Sequence, residues 1–161
     1  MSDGLYDRDI LIWAEAQAGL LRRLRDGERV NAAVDWPNLI EEVEGLGRAE
    51  LHAVENLLLQ ALVHLLKVHG WPAGPVRHWS AEAVGFLAGA RRRFTTSMRQ
   101  RIALGQLYHD VRAQVAADDF GGLEPRDLPA DCPFALSDLL AHPTDIGALR
   151  AMLGSRRSRA A

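Results

Sequence analysis

The residues from Asp35 to His69, DWPNLIEEVEGLGRAELHAVENLLLQALVHLLKVH, constrain this chain more than any other stretch. Apolar side chains recur at Leu39, Val43, Leu46, Val54, Leu57, Leu58, Ala61, Leu65 and Val68, the three-and-four spacing of a helix that buries one stripe. At 1.5 Å per residue the stretch makes a rod of roughly 50 Å. No alternating strand pattern and no internal repeat occurs elsewhere, so other helices must cover the stripe. Short connections favour antiparallel neighbours. The expected class is all-α, an up-and-down bundle of four main helices with short C-terminal helices.

The flanking segments supply those helices. Asp3 can cap a first helix carrying Leu5, Asp9, Ile12, Trp13, Ala16, Leu20 and Leu24 up to the Asp26-Gly27 break. Its Leu/Ile/Trp face should lie on the central rod. Asp35 stands at an N-cap position, and Pro37 fits the first turn because its missing N–H has no partner there. Gly45 and Gly47 each cost about 1 kcal/mol inside a helix, so either another backbone packs closely there or the rod bends; an inward Leu46 between them favours close packing. The run from Gly70 to Pro75 stops the rod. Ser80 is the expected cap of a third helix burying Ala83, Phe86, Leu87, Ala90 and Phe94. A break at Thr95 to Ser97 precedes a fourth helix with Leu104, Leu107, Tyr108, Val111 and Val115 on one face, ending near Asp118; the competing stop is Gly105 as a C′ residue. After Gly121-Gly122 and a proline-rich segment, Phe134, Leu136, Leu139 and Leu140 suggest a short helix, and Asp145 to Leu153 a last one. Residues 1–154 are expected to form one domain, because 161 residues with 48% hydrophobic content suit a single core. The tail SRRSRAA from Ser155 has nothing to bury and is expected to be disordered.

Charge narrows the partners. With 19 basic and 21 acidic residues the formal charge is −2, which favours neither nucleic acid nor anionic membranes. Arg91 to Arg93, with Arg77, His78, Arg99 and Arg101, read as a solvated helix end without an aromatic stacking platform, so nucleic acid is disfavoured. The run Leu57 to Leu66 is interrupted by Gln60 and His64 and falls short of the roughly 20 residues of a membrane span. From a single cysteine and a start without signal-peptide character, the expected location is the cytoplasm. Lys67 is the sole lysine beside many arginines, the usage of a GC-rich bacterial genome.

One flank of the central helix carries the candidate chemistry. Glu42, Gln60, His64 and Lys67 project along it, and Gln60, His64 and Lys67 follow i, i+4, i+7 spacing. Imidazole beside ammonium would lower the basicity of each, and a neutral amine can act as base or nucleophile; Tyr6 and Asp9 from the first helix would complete such a site. The structural reading is the border of a buried face, with Lys67 snorkelling near the helix end. Glu50 points nearly into the apolar stripe and needs a partner such as Tyr108 or Arg112. Glu41, Glu42 and Glu44 suit the helix dipole. No Glu-x-x-His, His-x-x-x-His or Cys-x-x-Cys pair, phosphate loop or nucleophile elbow occurs, so no metal or cofactor is expected. Cys132 reads as a packed loop thiol.

Several pieces together resemble a known family: Tyr6-Asp7-Arg8-Asp9 with Trp13, LIEEVEGLGR from Leu39, HLLK from His64, Trp79, Tyr108 with Arg112 and Ala116-Ala117, and Leu128-Pro129 through Cys132-Pro133-Phe134. They are similar to the bacterial family catalogued as domain of unknown function 29. The resemblance implies an all-helical bundle with a helix start near Ser97-Met98, and it implies no activity, cofactor or catalytic residue. Gly105 and the run from Gly70 to Pro75 depart from the family pattern. The expected function is therefore a cytoplasmic interaction module that binds a protein partner or a second copy of itself. The alternative is an enzyme with a polar site around His64 and Lys67.

Overall fold

A computed structural model describes residues 4–155. The chain forms α1 (Leu5–Arg8), α2 (Ile10–Arg25), a 3-10 turn at Asn31–Ala33, α3 (Trp36–Gly70), α4 (Val76–Arg93), a 3-10 turn at Thr96–Met98, α5 (Leu104–Ala116), α6 (Leu136–Leu139) and α7 (Ile146–Gly154). The protein is all-α, with four main helices and short C-terminal ones; among the described residues the sole β pairing is an isolated Phe120–Leu123 bridge. The expected Asp3 cap and the tail beyond Ser155 lie outside the described residues. Residues 1–49 and 50–161 make two compact units, with the boundary inside α3.

In the first unit the expected single helix is split. Asp9 adopts φ −153° and ψ 87°, closing α1, and its carboxylate accepts the Ile12 N–H at 3.1 Å to cap α2. A short acidic side chain satisfies orphan amides better at a helix start than inside a helix, so the chain breaks where Asp9 falls. Only Trp13 and Gln17 of α2 are buried, while Ile10, Leu11 and Ile12 are exposed. The inward Leu46 and the close packing at Gly45 and Gly47 are not found. Leu46 is exposed, and a Cβ added at Gly47 would meet nothing within 4 Å.

The second unit has a contiguous apolar core. From α3 it takes Val54, Leu58, Ala61, Leu62, Leu65 and Leu66; α4 adds Trp79, Ala83, Leu87 and Ala90; α5 adds Tyr108, Val111 and Val115; and Leu139, Leu149 and Leu153 close it. By length and composition α3 could cross a membrane, yet from Val54 to Val68 its apolar face belongs to this core. The turn after α3 is tight: a Cβ at Gly74 would lie 2.7 Å from the Trp79 ring, so only glycine fits. Trp71, Trp79 and Phe120 form a ring cluster with centroids 5.2 to 6.3 Å apart, and Trp71 Nε1 donates to the Leu123 carbonyl at 2.8 Å.

Two helix starts differ from expectation. Pro75, with φ −75°, precedes the first residue of α4, so Ser80 is interior. A proline at a helix start loses no intrahelical bond, so the helix begins a turn earlier than a serine cap would place it. The break at Thr95 to Ser97 is present as a 3-10 turn, but α5 begins only at Leu104. Met98 and Ile102 are buried, so this connection is anchored by its own apolar contacts, and Gly105 sits in the first turn of α5 instead of ending a helix.

Candidate functional site

The six candidate residues fall in both units: Tyr6, Asp9 and Glu42 in the first, Gln60, His64 and Lys67 in the second. In the first, Tyr6 donates its hydroxyl to Glu42 Oε1 at 2.6 Å and meets Trp13 edge to face at 4.9 Å. Accepting that bond, the Glu42 carboxylate stabilises the neutral phenol, and the Tyr6 pKa is pushed up to about 12, with desolvation adding to it. Asp9 is occupied as a helix cap.

Asp35 is the hub of this unit. Its Oδ2 accepts Trp13 Nε1 at 3.1 Å and Asn38 Nδ2 at 2.8 Å, while its backbone N–H donates to Gln17 Oε1 at 2.9 Å. Burying the Gln17 amide is tolerable because it has this partner. The sequence showed Asp35 as a cap; nothing in it marked Gln17 or Trp13 as its partners.

In the second unit His64 and Lys67 already have neighbours, while Gln60 is exposed and contributes its backbone carbonyl. His64 Nδ1 lies 2.8 Å from the Gln60 carbonyl, which can only accept, so Nδ1 carries a proton. Its ring rests on Phe86 with centroids 5.4 Å apart. Lys67 Nζ pairs with Asp118 Oδ2 at 3.3 Å, a carboxylate just beyond α5 that no sequence spacing connected to it. Glu50 is exposed and pairs with Arg93 at 3.3 Å, not with Tyr108 or Arg112. The predicted inward direction failed because the apolar stripe is covered only beyond this point. Among the described residues no three His, Cys, Asp or Glu side chains converge as a metal site needs.

The sequence model of the family described as Domain of unknown function DUF29 matches residues 5–143. The chain belongs to this family. A crystal structure of an alpha-helical protein of unknown function from Rhodospirillum rubrum is similar, at 25% identity and a TM-score of 0.66 over 93% of this chain and 98% of that one. The search of curated proteins finds no match.

Within each unit some of the segments that carry the DUF29 resemblance touch one another. Tyr6 meets Glu42 in the first unit; in the second, Tyr108 donates to the Pro129 carbonyl at 2.8 Å and Arg112 Nε to the Leu128 carbonyl at 3.3 Å. Burial drives the Tyr108 pKa far above the usual phenol value, so its hydroxyl stays a donor. These two bonds tie the irregular segment after α5 back onto that helix. Cys132 lies in the same segment, its thiol 3.6 Å from the Phe134 carbonyl. Burial raises the Cys132 pKa, which keeps it a protonated packing group and a poor nucleophile.

Proposed function

We propose that this chain is an interaction module of the bacterial cytoplasm that binds a protein partner or a second copy of itself through the first half of α3. One observation carries the reading. Trp36, Ile40, Val43 and Leu46 recur at helical spacing and are 43, 55, 62 and 70% exposed. Side chains at such spacing form one stripe, and an apolar stripe left in water is the surface a groove or a matching helix covers. Gly45 and Gly47 flank Leu46, and the open space over Gly47 leaves room for a partner's backbone. A single half-buried thiol and the similarity to a Rhodospirillum rubrum protein support the cellular setting.

The test compares wild-type protein with Val43→Glu/Leu46→Glu, whose side chains face solvent, so that helicity by circular dichroism should be retained. Light scattering is expected to show a wild-type dimer, or capture from native lysate a stoichiometric partner, that the variant loses. A wild-type monomer with no partner sensitive to these two substitutions overturns the proposal.

A further inference from the structure

In the second unit a cleft of about 310 Å³ opens between the end of α3, the segment after α5 and α7. Arg126, Arg150 and His69 line it together with the buried Val68 and the exposed Pro72 and Ala151. The Arg126 backbone is fixed by its N–H donating to the Gly70 carbonyl at 2.9 Å. Neither guanidinium has a hydrogen-bond or ion-pair partner among the described residues, unlike Arg23, Arg48 or Arg93, which meet carboxylates. His69 Nε2 lies 3.3 Å from the Asp127 carbonyl, so that nitrogen donates there and the ring is held at the cleft. Asp145, at the start of α7, uses its carboxylate to cap the Ala148 N–H at 2.9 Å.

We infer that this cleft binds the phosphate monoester of a small molecule. Two guanidinium forks offer a charge near +2 and paired donors, matching the −1.5 to −2 of a phosphate monoester; a lone carboxylate would satisfy only one fork. Val68, Pro72 and Ala151, lining the same cleft, offer apolar contact to a small organic body. The volume sits at the lower end of the roughly 300–1,000 Å³ of ligand pockets, enough for a small phosphorylated molecule. This site shares no residue with the stripe on α3, and either proposal can fail alone.

Calorimetric titration of the full chain with phenyl phosphate, inorganic phosphate and benzoate tests it. Phenyl phosphate should bind most tightly, inorganic phosphate more weakly through the anion alone, and benzoate at least about tenfold more weakly than phenyl phosphate. Arg126→Gln and Arg150→Gln, both at exposed positions, should each weaken phenyl phosphate about tenfold, whereas Arg22→Gln/Arg29→Gln in the first unit should leave it unchanged. Undetectable binding, equal affinity for benzoate, or an equal loss in the Arg22/Arg29 control overturns the inference.

Discussion

The two units are held together by different physics. The second unit has a contiguous core in which Leu58, Leu62, Leu65, Leu87 and Tyr108 are completely covered. Among the described residues of the first unit little is buried beyond Trp13, Gln17 and Val34, and the unit relies on directional bonds that converge on Asp35 and on the Tyr6–Glu42 pair. Non-directional burial tolerates small changes in geometry and accumulates over many atoms, whereas a polar hub concentrates its effect in one residue. The comparison teaches that one amphipathic helix can serve as the core of one unit while presenting its apolar side chains to solvent in the other.

Four measurements break or sharpen that contrast. Leu62→Ala removes a fully buried side chain from the second unit and should cost about 2–5 kcal/mol in denaturant unfolding. Asp35→Ala should cost about 1–2 kcal/mol, because it removes acceptors for Trp13 and Asn38. Its loss of amide-exchange protection should centre on residues 10–25 and spare α4 and α5. A loss reaching α4 and α5, or a cost equal to that of Leu62→Ala, would refute the division into a burial-held and a bond-held unit. Glu50→Gln should change stability by less than about 1 kcal/mol, since its pair with Arg93 is exposed to solvent.

The smallest effect is one of pH. Because folding raises the Tyr6 phenol from 10.0 to about 12, its contribution is fully present below pH 10 and is lost as pH rises through about 12. In a Tyr108→Phe background, ultraviolet titration reports Tyr6 alone. Its midpoint should stand near 12 and fall toward 10 in Glu42→Gln; an unchanged midpoint would show that the bond does not hold the phenol neutral.

Much of the fold was legible along the chain. The spacing of Val54, Leu58, Ala61 and Leu65 marked a buried helical face, and the run from Gly70 to Pro75 marked its end, because helical periodicity and turn chemistry are local properties. The site was less legible. A projection down a helix axis places Glu42 beside Gln60 because it discards the rise along that axis, so a shared flank is not a shared site. Apolarity at Val43 and Leu46 was read as burial, but apolar composition states only a preference for cover and not that this chain supplies it.

By itself, then, the sequence determined the all-α class, the long central helix and the apolar face that its second half buries, since these follow from residue spacing within one segment. Tertiary structure decided that Asp9 caps, that Asp35 gathers Trp13, Gln17 and Asn38, that Asp118 meets Lys67, and that Arg126 and Arg150 line one cleft. Except for the Asp9 cap and the Asp35–Asn38 bond, these pairings join residues far apart in sequence. Their partners are chosen by how the chain packs, and no local pattern encodes that choice.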